Sequence, residues 1–281
     1  MAPVTDIDLA DMGLLAAAGV GAGICGTVAG LASLASYPAL LSVGLSPISA
    51  NVTNTVALCG NVMGSVFGAR PELAGQLDRI RRFGLLTLVG GAIGAALLLA
   101  TPSDGFARIV PFLVGLSALL VLFRPQIQGA IEARRVRIRE RARTAARVGA
   151  AAPDSGQLGD PGRAHWSAQA TIFGLGLYGG YFGAGAGVMM IALLSIVTGD
   201  ILVRVNALKN ILLGLANGAA AIGFIVFGPV VWTAALPLGA GCIVGGFIGP
   251  KIARVMPATL LRVLIALAGL YLAIELALDA Y

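Results

Sequence analysis

Two nine-residue stretches carry the polar chemistry of this chain, TNTVALCGN at 53–61 and KNILLGLAN at 209–217. Each lies in an apolar run and places asparagine at its second and ninth positions, Asn54 and Asn61 in one, Asn210 and Asn217 in the other. A seven-residue step returns to nearly the same helix face two turns along. Each stretch therefore lays two amides on one stripe of an oily helix. Thr53, Thr55 and Lys209 add hydroxyls and a cation, so the inventory suits an anion. Two glycine-rich stretches, GAGICGTVAG at 21–30 and GLGLYGGYFGAGAG at 174–187, add exposed backbone N–H groups wherever the helix breaks. A helix that begins at such a break points its positive end into it. The candidate substrate-binding residues are therefore Gly26, Gly30, Thr53, Asn54, Asn61, Gly183, Gly185, Lys209, Asn210 and Asn217.

Other chemistries lack their parts. The single histidine, His165, stands beside Trp166 outside the apolar runs, and no Asp or Glu sits in the middle of one. A carboxylate or histidine relay for proton pumping is thus missing. Serines without a base give hydrolysis no machinery, so an enzyme is not expected. The glycines at 174–179 follow no strand of a βαβ unit, which argues against a dinucleotide site. Cys25, Cys59 and Cys242 form no CxxC pair and read as small buried hydrophobes. Neither a metal nor a cofactor is expected.

The elements that hold these residues must cross a bilayer. Of 281 residues, 58% are hydrophobic and 11% charged, where a soluble domain carries about 25% charged residues; mean hydropathy is +0.91. Apolar stretches long enough for helical spans lie near 50–68, 84–100, 109–123, 205–228, 232–249 and 258–278. The net charge of +6 comes from basic residues clustered in loops. Those residues read as orientation signals rather than as a nucleic-acid surface. The start, MAPVTDIDLADM, is acidic and lacks the basic region of a cleavable signal peptide.

The asparagine echo belongs to a longer repeat. Gly23, Gly26 and Gly30 match Gly176, Gly179 and Gly183, and the tripeptide ALL follows both sets, at 39–41 and 192–194. Gly90-x3-Gly94 matches Gly241-x3-Gly245, and Arg108-x6-Gly115 matches Arg262-x6-Gly269. The chain divides into an N-terminal transmembrane repeat at 1–123, a basic linker at 124–165 and a C-terminal transmembrane repeat at 166–281. Eight arginines between Arg124 and Arg147 make the linker cytoplasmic.

Orientation follows from the loops. The apolar segments 12–45 and 168–198 are too long for one crossing and short for two. If each enters and returns to the same side, the acidic start lies outside and Arg70, Arg79, Arg81 and Arg82 lie inside. The second half is then inverted, which places Lys251 and Arg254 inside as well. The expected fold is an all-α membrane protein of two inverted repeats, each beginning with a glycine-broken, re-entrant helix pair. Competing readings are tight small-xxx-small packing at the glycines, a Lys209 that snorkels to the interface, and Arg108 and Arg262 as interface anchors.

The twice-occurring order of a glycine break (GICGTVAG, GLYGGYFGAGAG), an apolar stretch and a polar helix start (SANVTNT, VNALKN) is what carries a family resemblance. In this order, with GxxxG and Arg-x6-Gly following in each half, the chain resembles the sulfite exporter TauE/SafE family. The resemblance covers nearly everything outside the linker and termini. It implies export of a small sulfur-containing anion, sulfite or an organosulfonate such as sulfoacetate, across the bacterial inner membrane. It also places the binding region on the two breaks and on Asn54, Lys209 and Asn210. Thr53 stands where the second half has Lys209, so the site is not charge-symmetric. Within transport, the alternatives are an anion importer or a channel; outside it, a membrane scaffold whose basic linker recruits a partner. The expected partners are a small anionic substrate and the lipid bilayer, and self-association is left open.

Overall fold

The computed structural model describes residues 7–68, 70–123, 161–252 and 269–278, with isolated positions between 125 and 140 and residue 267. Most of the basic linker, the chain after Ile252 that carries Arg254, and the Arg262 end of the last repeat match lie outside the described residues. Every regular element described is a helix. The first half holds α1 (Leu9–Ala29), α2 (Ala32–Ser42), α3 (Pro47–Gly68), the short α4 (Arg70–Leu73), α5 (Leu77–Ala100) and α6 (Ser103–Leu122). The second half holds α7 (Pro161–Tyr181), α8 (Ala186–Thr198), α9 (Leu202–Phe227), α10 (Trp232–Ile252) and α11 (Gly269–Leu278). Among the described residues, α1, α5, α6, α9 and α10 are long and apolar enough to cross a membrane. The protein is a multi-pass membrane protein.

The glycine-rich stretches do not break where their composition is richest. Residues 21–29 remain helical, and α1 runs 21 residues before Gly30 stops it. Gly30 takes φ +73°, its N–H donates to the Gly26 carbonyl at 2.9 Å, and the Leu31 N–H reaches the Cys25 carbonyl at 3.3 Å. These bonds close the helix through a left-handed turn at Gly30, a conformation that glycine adopts cheaply. Gly183 does the same for α7 at φ +75°, its N–H donating to the Tyr178 carbonyl at 2.9 Å. Each break thus joins a long helix to a short one, of 11 residues in α2 and 13 in α8, rather than two half-helices of equal length.

The two halves interlock. The GxxxG of each half packs against the first helix of the other: Gly241 and Gly245 on α10 lie against α1, and Gly90 and Gly94 on α5 lie against α7. A Cβ on Gly94 would collide with the Leu177 carbonyl, and one on Gly241 with the Ala16 carbonyl. Backbones this close gain dispersion contacts and avoid the rotamer loss of larger side chains.

The register of these contacts fixes helix direction. Gly19 faces Leu238 and Gly241, and Gly23 faces Cys242 and Gly246, so α1 runs with α10; Gly60 against Gly239, then Asn61 against Gly246, puts α3 with them. Gly90 faces Phe173 and Gly94 faces Tyr181, while Gly84 meets Leu215 and Gly223 meets Ala95, so α5, α7 and α9 share a direction. Between the sets, Gly214 meets Val62 and Gly228 meets Val52, so α3 runs against α9. Gly19 and Ala57 meet α10 at one level, each about ten residues into its helix. The chain therefore enters along α1 and returns through α2 to start α3 at the same end. By the same contacts α7 and α9 begin together at the opposite end.

That opposite end is tied by polar contacts between the halves. Arg79 pairs with Asp200, Arg204 donates to the Ala74 carbonyl at 2.9 Å, and Gln76 donates to the Arg204 carbonyl at 3.3 Å. At the other end a capping box of Asp8 and Asp11 closes the start of α1, the Asp11 N–H reaching Asp8 Oδ1 at 2.8 Å.

The interlock predicts which glycines tolerate a side chain. In Gly180→Val the new atoms meet the Gly91 backbone, at a cost of about 1–3 kcal/mol or more, and the expected result is little monodisperse protein in detergent. Gly174→Ala and Gly13→Ala have open space around the added carbon and should elute and melt like the wild type.

Candidate functional site

The breaks of the two halves meet at the centre of the bundle. A Cβ on Gly187, in the first turn of α8, would lie 2.7 Å from the Gly30 carbonyl oxygen. The short helices α2 and α8 both begin here, with Leu31 and Gly185 at their N-caps and no side-chain cap on either. The positive dipole ends of two helices, neither closed by a side-chain cap, therefore converge on one point.

A cavity of about 60 Å³ opens beside this crossing. The breaks contribute Gly26, Gly30, Ser33, Gly183 and Gly187 to its wall; α3 contributes Asn61 and Ser65, and α9 contributes Lys209, Asn210 and Asn217. At roughly 10–15 Å³ per water by the same measure, the space suits about four to six waters, which an oxyanion of four heavy atoms could replace. No carboxylate stands among the described lining residues.

The donors face this space in different ways. Lys209 is 1% exposed, and its Nζ donates to the Gly26 carbonyl at 3.5 Å. Asn61 accepts from Thr27 Oγ1 through Oδ1 at 3.1 Å, which leaves its NH2 group beside Gly26. Asn210 and Asn217 are half-buried on the wall, and their amides make no hydrogen bond among the described residues. These amides therefore present hydrogen-bonding groups to the cavity.

The cavity gathers Gly26, Gly30, Asn61, Gly183, Lys209, Asn210 and Asn217. It does not gather Thr53, Asn54 or Gly185. Thr53 is fully buried and accepts from the Val231 N–H at 3.1 Å, pinning the turn between α9 and α10. Asn54 accepts from Ser36 Oγ at 2.5 Å and so joins α3 to α2. Gly185 holds a left-handed turn against Ser117. Two of its neighbours fix that loop, because Ser117 Oγ and Tyr178 Oη both donate to the Ala184 carbonyl at 2.7 Å.

Asn51 and Asn206 were not singled out by the stripe argument, yet each reaches the end of the other half's first helix. Asn51 Nδ2 donates to the Tyr181 carbonyl at 2.8 Å, and Asn206 Nδ2 to the Thr27 carbonyl at 3.2 Å. Orphan carbonyls at a helix C-terminus need such donors where water is absent. Their signal was present in SANVTNT and VNALKN, each of which holds a second asparagine three or four residues ahead of Asn54 or Asn210. Among the described residues no cluster of His, Cys, Asp and Glu could hold a metal ion.

Interlocked helices whose breaks meet at a small polar cavity define a polytopic membrane protein. The family model described as sulfite exporter TauE/SafE matches residues 15–276. The chain belongs to that family and is a membrane transporter. It is 24% identical over 263 residues to "Probable membrane transporter protein YfcA" of Escherichia coli K12, with 92% of this chain and 87% of the relative covered. It is also 24% identical over 280 residues to "Probable membrane transporter protein" of Haemophilus influenzae, covering 98% and 97%. A third relative, "Probable membrane transporter protein ORF9" of a Sinorhizobium species, is 24% identical over 266 residues, covering 92% and 89%. No solved structure matches the chain.

The placement separates two kinds of asparagine. Asn210→Ala and Asn217→Ala should leave the melting temperature in detergent unchanged and weaken binding of a transported anion. Asn54→Ala removes the Ser36 contact, should cost about 1 kcal/mol of stability, and should leave anion affinity near wild type. A thermal-shift titration with anions reads both effects.

Proposed function

We propose that this transporter exports a small sulfur-containing anion, sulfite or a compact organosulfonate, across the bacterial inner membrane. The observation that carries the reading is the central cavity, where two helix N-termini without side-chain caps, Lys209 and the amides of Asn210 and Asn217 converge with no carboxylate among the described lining residues. Such a wall attracts negative charge and offers no group for a carried proton. Family membership supports the sulfur oxyanion, and a space suited to four heavy atoms supports a compact one.

Direction follows from energetics. Each elementary charge gains about 2.3 kcal/mol per 100 mV on crossing, so an anion leaving a negative interior runs downhill. The opposed directions of the two helix sets support two inverted repeats, with access alternating as one helix set moves against the other. Basic residues Arg79, Arg82 and Arg204 gather where α5, α7 and α9 begin, which supports a cytoplasmic assignment for that end. The acidic start of α1 then faces outward. On this reading the amides and helix ends orient the substrate oxygens while Lys209 balances charge.

The test is flux from liposomes loaded with sulfite under a potassium-diffusion potential of either sign. Saturable flux should follow the potential. Lys209→Met should lower it at least tenfold, since a hydrogen bond to a charged group is worth about 1.5–3 kcal/mol. Flux that ignores the sign of the potential would exclude an electrogenic exporter, and a linear dependence on concentration would favour a channel.

A further inference from the structure

Thr27 lies on α1, one residue past Gly26, is 6% exposed, and does not line the cavity. Its hydroxyl lies 2.8 Å from the Gly23 carbonyl, 3.1 Å from Asn61 Oδ1 and 3.5 Å from the Gly246 carbonyl. Its own carbonyl is held by Asn206 Nδ2 at 3.2 Å. This small network therefore joins α1, α3, α9 and α10 at the rim of the cavity.

An amide side chain has two faces of nearly equal shape and opposite polarity. Rotating it by half a turn exchanges two N–H donors for an acceptor oxygen. At most sites either orientation finds partners. At the wall of an anion site the two differ in sign, because an anion is met by N–H and repelled by a carbonyl oxygen.

The surroundings of Asn61 select one orientation. Oδ1 turns to Thr27 and lies close to Gly246, and Nδ2 turns to Gly26 at the cavity wall, so near that a Cβ there would collide with it. Nδ2 makes no hydrogen bond among the described residues. The Gly23 carbonyl, which competes for the hydroxyl proton, lies within the ladder of α1 and already has a backbone donor. Asn61 Oδ1 has no other donor among the described residues, so the proton stabilises the network more when it points to Asn61. Loss of that donor frees the amide to turn.

Resting on the reading of the cavity as an anion site, we propose that Thr27 is a positioning residue for substrate selection. Its hydroxyl locks the Asn61 amide with NH2 facing the cavity, and Asn206 holds the Thr27 backbone in place for it.

The experiment measures sulfite-dependent thermal shift and sulfite flux in liposomes for wild type, Thr27→Val, Thr27→Ser, Asn61→Ala and the Thr27→Val/Asn61→Ala double variant. Valine keeps the shape of threonine and removes the donor. Thr27→Val should raise the half-saturating sulfite concentration about tenfold, the usual scale for losing a hydrogen bond to a charged group, and Thr27→Ser should restore it. In the Asn61→Ala background Thr27→Val should change affinity less than twofold. A purely structural hydroxyl would instead carry its full effect into the double variant, and that result overturns the proposal. So does wild-type affinity in Thr27→Val. Thr27→Ala gives the same comparison if valine disturbs folding. Wild-type protein that neither binds nor moves sulfite overturns the transport reading, and this inference with it. Wild-type flux alongside an unaltered Thr27→Val overturns this inference alone.

Discussion

A helix broken at membrane depth exposes carbonyls and N–H groups where no bulk water can meet them, and each unmet group costs several kcal/mol. This constraint shapes the centre of the protein. At Gly30 a left-handed turn returns the Gly30 and Leu31 N–H groups to the Gly26 and Cys25 carbonyls, and Asn206 takes the Thr27 carbonyl. At Gly183 a backbone bond closes α7, Asn51 takes the Tyr181 carbonyl, and two hydroxyls take that of Ala184. Several carbonyls on the C-terminal side of each break are thus met by the protein. The N-terminal turns of α2 and α8 have no side-chain caps, and they open on the cavity. The same backbone arrangement that closes the breaks leaves these helix N-termini for the proposed anion.

Those breaks keep their positions because neither half stands alone. The GxxxG pairs seat each half's first helix against the other half, at backbone distances that exclude a β-carbon. In a membrane no hydrophobic force presses helices together, so close packing of this kind carries the association. The contacts resist sliding because each glycine fits one register. A rocking motion of the proposed kind must therefore keep α1 with α10 and α5 with α7. The units that could move are exchanged pairs rather than the sequence halves, and α3 and α9 lie between them with Asn61 on one and Lys209 on the other.

Much of this was legible from residue types and order. The internal repeat located both breaks, and the matching GxxxG pairs turned out to be the contacts between the halves. Asn61, Asn210 and Asn217, grouped by a seven-residue step on a helix, and Lys209, noted as the cation beside them, line one cavity. Asn54 shares that stripe with Asn61 but sits two turns away, where it meets Ser36 on α2 rather than the cavity. Periodicity gives a face, not a height, and only the tertiary packing sets which neighbour waits at each height. The exact break positions were hidden for a similar reason. A run of glycines within 21–30 permits many stops, and packing against α10 keeps residues 21–29 helical until Gly30. Thr27 and Asn206 were missed because their roles lie in contacts between helices far apart in sequence.

The wall of the cavity is built mainly from modest donors, and modest donors suit the proposed export of a small anion. Helix ends contribute about 0.3–1 kcal/mol each near the surface and up to about 2 when partly buried, and an amide hydrogen bond adds a similar amount. A cluster of arginines would hold a sulfur oxyanion far more tightly through bidentate bonds. Tight holding would defeat export, since a carrier must release what it binds, and a favourable entry that is too deep becomes a trap. The driving force is already present in the membrane potential at about 2.3 kcal/mol per charge per 100 mV. The site therefore has to choose the substrate and lower its desolvation cost, and binding energy beyond that slows release. Selectivity from oriented amides and helix ends, with one buried lysine for charge, meets both requirements.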